Sequence, residues 1–345
     1  MSAPTPAYIF RKHKASVNAI TFFSNDKYIA SCDANGIVCI WKMKTRRTIL
    51  EWKAHDNDCL QVHIYGKNRL VSQGRDHKVN LWQLILDEEE EDKVPEYILI
   101  QSIDYYSLSF CRLSICQTKD DTYLCLPLRG DTSLVDIYSI EQQKWIIQRI
   151  GLKEERDQKE KTDHGLCMAV KLFCLNEAFY VLTGYEDGSV ALWHVSYLNE
   201  KSNLVWLVKE HTAPVLDVVM DRSTLEFAIS TGADNQIVKY ALTSTSHPAQ
   251  QHEEDYSSIV MKKTSIKKSG LAAIDIRIDG KIFATAGHDG RIRVFSCKSL
   301  QPLAILSYHR DSVYSVAFAS VLQDTKDHWL IGGSKDSRIS LWSIY

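Results

Sequence analysis

Two stretches of the chain bring a histidine, a hydroxyl residue and an aspartate together at similar spacings, each followed by a tryptophan. The two groups are His55, Ser72, Asp76 and Trp82, and His164, Thr183, Asp187 and Trp193. A histidine placed between a hydroxyl and a carboxylate is the composition of a hydrolase triad, in which the imidazole takes the hydroxyl proton. By residue type alone, either group could activate a nucleophile.

Recurrence favours a structural role for these groups. A nucleophile occurs once and is held on a strained turn, whereas related groupings recur around the whole chain. The chain has no GxSxG elbow, P-loop, HExxH or GxGxxG motif. Buried polar groups need hydrogen-bond partners, and an unpaired one costs about 1–3 kcal/mol. We therefore expect hydrogen-bonded structural sets, and no catalytic, cofactor-binding or metal-binding residues.

A repeated segment shows which elements hold these residues. Asp or Asn stands six residues before an aromatic residue in six segments, with alternating apolar residues between them. They are 35-NGIVCIW-41, 76-DHKVNLW-82, 187-DGSVALW-193, 234-DNQIVKY-240, 289-DGRIRVF-295 and 336-DSRISLW-342. A degenerate copy, 132-TSLVDIY-138, has Thr at the polar position. The period of two and the Val/Ile content predict strands that follow turns.

A second periodic feature places another strand before each of these. Five histidines stand nine residues before an apolar residue that ends an alternating run: His13, His55, His164, His211 and His309. In WD repeats the His, Ser/Thr, Asp and Trp form one hydrogen-bonded set. Several units depart from it: Asn35 replaces Asp, Tyr240 replaces Trp, Lys267 stands near the missing sixth His, and Gly332 replaces Ser/Thr. The third unit has almost none of the set.

The repeats predict an all-β chain folded as one seven-bladed WD40 β-propeller. The approximate blades are 12–52, 53–103, 104–149, 150–208, 209–262, 263–306 and 307–345 plus 7–10. The last repeat stops at 341-LWSIY-345, after its third strand. Edge strands need partners, so we expect 7-AYIF-10 to supply the missing outer strand and close the propeller.

Composition narrows the classes of partner. Lys and Arg number 41 against 43 Asp and Glu, for a net charge of −2. This balance argues against direct nucleic-acid binding and membrane binding. The nine cysteines form no CxxC pair and lie mostly in apolar runs, which indicates buried reduced thiols. No signal peptide or membrane-spanning run is present, so we expect a soluble intracellular protein.

Charged and polar insertions are expected to form solvated loops. The acidic run 87–92 follows the third strand of blade 2, the polar tract 243–255 follows blade 5, and the segment 320–327 lies within blade 7, all on the wider side of the propeller. The charged stretch 153–163 lies in a connection between blades, on the opposite, narrower side. The basic stretch 262–268 overlaps a predicted strand start, which weakens its likeness to a nuclear-localisation signal.

Residues beside the repeated turns are candidates for partner contacts on the narrower side. Four stand directly before a turn Asp and one directly after a blade-opening histidine: Arg75, Glu186, His288 and Lys335, and Arg310. The alternative is that they are ordinary exposed polar residues.

The last two blades, 283-FATAGHDGRIRVFSCKSLQPLAILSYHRDSVYSVAF-318, resemble the ASTRA-associated WD-repeat proteins of fungi, whose animal relatives are described as G-protein β-subunit-like. The resemblance lies in ATAG–D–RIRVF, in SLQPLAIL, and in the His with its inner strand. It implies a monomeric scaffold subunit of the ASTRA assembly, in nucleus and cytoplasm. Its expected partners are kinase co-chaperone subunits that stabilise phosphatidylinositol-3-kinase-related kinases, in connection with chromatin and telomere maintenance.

Two other functions remain open as alternatives. A heterotrimeric G-protein β subunit needs a long N-terminal helix to pair with its γ partner, and only about a dozen residues precede the first blade. Many WD-repeat receptors of cullin-type ubiquitin ligases carry an Arg two residues beyond the WD pair. The corresponding ends here, 82-WQLI-85, 193-WHVS-196 and 342-WSIY-345, lack it.

Overall fold

The computed structural model describes residues 4–86, 94–106, 109–127, 133–151, 164–175, 178–196, 201–242, 259–268, 270–320 and 328–344. These residues form 28 strands in seven four-stranded antiparallel sheets. No helix among them is long and apolar enough to cross a membrane. The chain divides into two compact units, residues 1–105 with 272–345, and residues 106–271.

The first unit contains four of the sheets. Blade 1 consists of β2 (Val17–Phe23), β3 (Tyr28–Asp33), β4 (Ile37–Lys42) and β5 (Arg47–Lys53), and blade 2 of β6 (Cys59–Tyr65), β7 (Arg69–Gly74), β8 (Lys78–Ile85) and β9 (Glu96–Asp104). Blade 6 consists of β22 (Leu271–Ile276), β23 (Ile282–Gly287), β24 (Arg291–Ser296) and β25 (Pro302–Ser307). Blade 7 consists of β26 (Val313–Phe318), β27 (His328–Ser334) and β28 (Ile339–Ile344), together with β1 (Tyr8–Phe10).

The second unit contains the other three sheets. Blade 3 consists of β10 (Ser114–Gln117), β11 (Thr122–Pro127), β12 (Val135–Ser139) and β13 (Lys144–Ile150). Blade 4 consists of β14 (Cys167–Leu175), β15 (Ala178–Tyr185), β16 (Ser189–Ser196) and β17 (Lys201–Lys209). Blade 5 consists of β18 (Val215–Met220), β19 (Phe227–Gly232), β20 (Gln236–Ala241) and β21 (Val260–Ser265).

The fourth strand of blade 7 comes from the N-terminus. β1 pairs antiparallel with β28, with Ile9 opposite Ser340, and the sheet order is β1-β28-β27-β26. The Phe10 side chain is 2% exposed and packs edge-on against Trp41 of blade 1, with ring centroids 5.1 Å apart. Seven consecutive four-stranded sheets, the last completed by the first strand, are the topology of a seven-bladed WD-type β-propeller. The predicted fold class and its closure by an N-terminal strand are confirmed.

The core lies between neighbouring blades within each unit. The middle strands β3, β7 and β19 are buried along nearly their whole length. In blade 1 this burial arises because its strands pack against blade 2 on one side and blade 7 on the other. Trp82 packs with the residues of blade 1, and Trp342 with those of blade 6. Burying such side chains is the main stabilising contribution, at roughly 25 cal/mol per Å² of apolar surface.

The nine cysteines are free thiols, and only Cys116 and Cys174 are half-buried rather than buried. Of the predicted loops, 87–92, 153–163, 243–255 and all but Ser320 of 320–327 lie outside the described residues. The basic stretch at 262–268 lies partly in β21, the outer strand of blade 5, and not at the start of an inner strand.

Candidate functional site

In blade 2 the four predicted residues form one hydrogen-bonded chain. His55 Nδ1 lies 3.0 Å from Asp76 Oδ1, and its Nε2 lies 2.8 Å from Ser72 Oγ. Trp82 Nε1 donates to the same Ser72 oxygen at 2.8 Å. β7 carries the serine, the turn before β8 carries the aspartate, and β8 carries the tryptophan, so the set ties these elements to the segment that precedes β6.

A glycine two residues after the serine makes room for this set. A Cβ at Gly74 would overlap with the His55 ring and with the Asp76 carboxylate. The absence of a side chain there lets the histidine lie over the end of β7, where its side chain is fully buried.

Blade 5 contains a complete set in which tyrosine replaces tryptophan. His211 bonds Asp234 at 3.0 Å and Ser230 at 2.7 Å, and the Tyr240 hydroxyl lies 2.9 Å from Ser230 Oγ. The phenol oxygen of Tyr240 reaches the same serine that an indole nitrogen reaches in blade 2. The substitution that the sequence marks as a departure therefore preserves the hydrogen bond.

In blade 1 the carboxylate comes from Asp33 and not from the predicted turn position, Asn35. His13 Nδ1 lies 2.8 Å from Asp33 Oδ2, and Nε2 lies 2.7 Å from Ser31 Oγ, to which Trp41 donates. Asp33 stands two residues after the serine, where blade 2 has its glycine. The signal in the sequence was an aspartate two residues before the expected one.

Blade 7 takes its hydroxyl from the opposite strand. Ser340 of β28 faces Gly332 of β27 in the ladder. His309 Nε2 and Trp342 Nε1 each lie 2.8 Å from Ser340 Oγ, and His309 Nδ1 lies 3.0 Å from Asp336 Oδ2. A Cβ at Gly332 would overlap with Ile292 of blade 6, so the neighbouring blade excludes a side chain at the usual serine position.

Blade 4 differs from the complete set predicted for it. His164 bonds Asp187 at 3.2 Å, and Trp193 donates to Thr183 at 3.0 Å, but among the described residues no hydrogen bond joins His164 to Thr183. Tyr185 stands where blades 2 and 5 have glycine. Its bulk keeps the His164 side chain 22% exposed, with the two rings 5.4 Å apart.

Tyr185 is a buried residue of blade 4 whose ring lies beside His164. Burial raises the pKa of Tyr185, and hydrogen bonds with the side chains of Thr183 and Trp193 oppose the increase. The spacing of the motif gave no indication that the side chain after Gly184 would keep His164 away from Thr183.

Blades 6 and 3 replace the set with other pairs. In blade 6 Arg293 of β24 forms a two-bond ion pair with Asp289, with distances of 3.0 and 2.6 Å, and both side chains are buried. Lys267, which stands near the missing histidine in sequence, is exposed. In blade 3 the buried Asp121 bonds Ser139, which joins the start of β11 to the end of β12. Thr132 of the degenerate motif lies outside the described residues.

The geometry of these sets is that of structural ties. Ser72, Ser230 and Ser340 are fully buried, and each accepts or shares a hydrogen bond from the aromatic residue of β8, β20 or β28. A nucleophilic hydroxyl must reach a substrate carbonyl, which these oxygens do not do. The resemblance to a hydrolase triad is thus one of composition.

Electrostatics within the sets favours the ionised carboxylate. Burial raises the pKa of Asp76, but the hydrogen bond and charge of His55, together with backbone amides, outweigh it and hold the pKa below its usual value. Asp336 has the same balance with His309. Among the described residues, no cluster of three or more His, Cys, Asp or Glu side chains is arranged to hold a metal ion.

The five candidate partner-binding residues are all exposed, in turns or connections beside the hydrogen-bonded sets. Arg75, His288 and Lys335 lie between the second and third strands of blades 2, 6 and 7, Glu186 lies at that place in blade 4, and Arg310 precedes β26. Glu186 is partly engaged, because its carboxylate accepts a hydrogen bond from the backbone of Leu166 at 3.2 Å.

Three of the five candidates, His288, Arg310 and Lys335, lie in blades 6 and 7 of the first unit and take part in hydrogen bonds through their backbones. Ser312 Oγ donates to the backbone oxygen of His288 at 3.1 Å, and its own carbonyl accepts from the backbone of Lys335 at 2.9 Å. The backbone of Arg310 donates to Asp336. Burial lowers the pKa of His288, and the charge of Asp289 opposes this only in part. These three residues therefore present the cationic side chains of Arg310 and Lys335 together with the imidazole of His288, whose neutral form is favoured.

Similarity to known proteins extends over the whole chain. The family model of ASTRA-associated protein 1 matches residues 6–328. An ASTRA-associated protein 1 from Schizosaccharomyces pombe is 31% identical, covering 100% of both chains, and one from Verticillium alfalfae is 28% identical, covering 99% of this chain and 93% of the relative. The guanine nucleotide-binding protein subunit beta-like protein 1 of Mus musculus is 32% identical, covering 99% of this chain and 97% of the relative. On this coverage and on the seven-sheet topology, the chain belongs to the ASTRA-associated protein 1 family.

Proposed function

We propose that this chain is a non-catalytic WD-repeat scaffold subunit that binds protein partners within the ASTRA and kinase co-chaperone assembly. Through that assembly it supports the stability of phosphatidylinositol-3-kinase-related kinases in the nucleus and cytoplasm, and thereby chromatin and telomere maintenance. The observation that carries the proposal is membership of the ASTRA-associated protein 1 family over residues 6–328.

The geometry of the hydrogen-bonded sets supports the non-catalytic part of the proposal. The His, Ser and Asp groups that resemble a triad are buried and saturated with mutual hydrogen bonds in blades 1, 2, 5 and 7. They hold the turns between the second and third strands in fixed positions. Rigid turns present exposed side chains without a large ordering cost, which favours binding of a partner.

The exposed turn residues supply the candidate contact surface. Arg75, Arg310 and Lys335 are cations of the first unit, and a partner with a carboxylate-rich segment would complement them. Arg75 and Arg310 have the planar guanidinium that binds carboxylates through two bonds. The net charge of −2 makes nucleic acid and anionic membranes poor ligands for the chain as a whole.

Affinity purification of the tagged full-length chain from its own cells, followed by mass spectrometry, tests the proposal. Enrichment of kinase co-chaperone subunits over an untagged control is the expected result. Recovery of G-protein γ subunits would favour a β-type signalling subunit, and recovery of cullin adaptors would favour a ubiquitin-ligase receptor. Either result, without co-chaperone subunits, would contradict the proposal.

A further inference from the structure

The outer strand of blade 2 exposes an unusual run of apolar side chains. In β9, four consecutive residues are each between 41% and 52% exposed: Tyr97, Ile98, Leu99 and Ile100. Side chains alternate between the two faces of a strand, so the exposed apolar surface covers both faces of β9. In the sheet order β6-β7-β8-β9 the strand has a described neighbour on one side only.

Most other outer strands of the described residues carry features that protect an edge from pairing. Such edges usually hold charged side chains or proline, or are very short. β5 contains Glu51, β13 contains Arg149, β21 contains Lys262 and Lys263, β25 begins with Pro302, and β1 is three residues long. In β9 the seven residues between Glu96 and Asp104 are uncharged and include no proline. The other exception is β17, whose seven residues between Lys201 and Lys209 are also uncharged and include no proline, but of its apolar side chains Leu204 alone is exposed.

The strand is held in place for pairing. The Tyr97 ring stacks on Trp52 of blade 1, with centroids 4.6 Å apart and planes 16° from parallel, and meets Trp82 edge-on at 5.8 Å. A register shift opposite Leu81 and Trp82 makes a bulge at Ile100, and β5, β17, β21 and β25 have a shift at the corresponding place. A bulge is one of the devices that weaken pairing at an edge, but it is common to these outer strands, so the exposed apolar run is what distinguishes β9.

The charges at its ends argue against a second copy of this chain as the occupant. Two β9 strands paired antiparallel over their full length would place Glu96 of each copy opposite Asp104 of the other. Directly opposed like charges destabilise a strand pair. Glu96 and Asp104 are both exposed, so the edge is acidic at both ends.

We propose that β9 is a docking edge for an extended segment of a different protein, which adds to blade 2 as a fifth, antiparallel strand. The segment has apolar residues at alternate positions, to pack against Ile98, and a basic residue at its C-terminal end, beside Glu96. Main-chain hydrogen bonds to the edge supply affinity, and the apolar and acidic side chains supply selectivity. This surface is separate from the turn residues of the proposed function and does not depend on it.

Binding of synthetic peptides to the purified full-length chain tests the proposal. The probe is a panel of fluorescent eight-residue peptides with Val, Ile, Leu or Tyr at alternate positions and Thr between them, ending in either two lysines or two glutamates. Fluorescence anisotropy gives the affinity of each. The expected result is binding of lysine-ended members, with glutamate-ended members weaker by about tenfold or more.

Two variants locate the binding. Ile98→Lys places a charge on the edge and is expected to weaken binding by about tenfold or more. The matched control, Leu204→Lys, changes an exposed leucine of β17, the outer strand of blade 4, and is expected to leave binding unchanged. In the unmodified chain, bound peptide should also slow amide hydrogen exchange at residues 97–100, a readout that needs no variant.

Three outcomes would overturn the proposal. They are equal affinity for the two peptide ends, no binding or exchange protection by any member at millimolar concentration, and equal weakening by both variants. Concentration-dependent dimerisation of the unmodified chain that Ile98→Lys abolishes would assign the edge to a second copy instead.

Discussion

Removal of the Ser340 hydroxyl should destabilise blade 7 more than the loss of one surface contact would. Its oxygen lies 2.8 Å from both His309 Nε2 and Trp342 Nε1, and the side chain is fully buried. Ser340→Ala leaves two buried polar groups without this partner, at about 1–3 kcal/mol each. We therefore expect the free energy of unfolding to fall by about 2–6 kcal/mol.

Urea denaturation at pH 7, followed by tryptophan fluorescence, measures this change directly. The matched control is Ser307→Ala, at the end of β25 in blade 6, where the side chain is exposed and the expected change is within about 0.5 kcal/mol. A loss in Ser340→Ala no larger than that of the control would refute the reasoning that buried, mutually bonded polar groups hold each blade together.

Two further perturbations test other parts of the structure. Deletion of residues 1–11 removes β1 and the buried Phe10. Truncation of a buried phenylalanine to alanine alone costs about 3–5 kcal/mol, so the melting temperature should fall sharply. An unchanged melting temperature would contradict closure by the N-terminal strand. In blade 3, burial raises the pKa of Asp136 to about 6, against the hydrogen bond and charge of Arg149. The folded state therefore disfavours ionised Asp136, and Asp136→Asn should raise the free energy of unfolding above pH 6 by up to about 2 kcal/mol. That gain should disappear between pH 6 and pH 4 as Asp136 becomes protonated in the folded parent, and a gain independent of pH would show that charge is not its cause.

The fold could be predicted from the sequence because the same residue spacings recur in most of the blades. Six turns with the same spacing to an aromatic residue, and five histidines with the same spacing to an apolar one, define blades even where single positions vary. The N-terminal strand was predictable because the last repeat ends after its third strand, and an edge without a partner is unfavourable. These inferences depend on strand count and period, which survive substitution.

Identity of the residues within each set was harder to predict, because it depends on contacts between strands and blades. Ser340 replaces the missing hydroxyl of blade 7 from across the ladder, since Ile292 of the next blade leaves no room at Gly332. Tyr185 displaces the histidine of blade 4 through its size. Neither effect is visible in spacing along the chain. The exposure of β9 also escaped the sequence, since a YILI run is typical of a buried strand.

The central claim is that this family member acts by binding co-chaperone subunits through its exposed turns. Quantitative affinity purification of partners with a charge-reversed variant tests this claim most directly. The variant Arg75→Glu with Lys335→Glu changes exposed cations only, and the 3.8 Å pair of Lys335 with Asp311 is exposed and contributes little to stability. The control, Lys144→Glu with Lys201→Glu, reverses the same amount of exposed charge on β13 and β17.

We expect the parent chain and the control to recover kinase co-chaperone subunits equally, and the turn variant to recover several-fold less at an unchanged melting temperature. Equal recovery by all three chains would exclude these turns as the binding surface. Absence of co-chaperone subunits from every purification would contradict the proposal that the chain binds them at all.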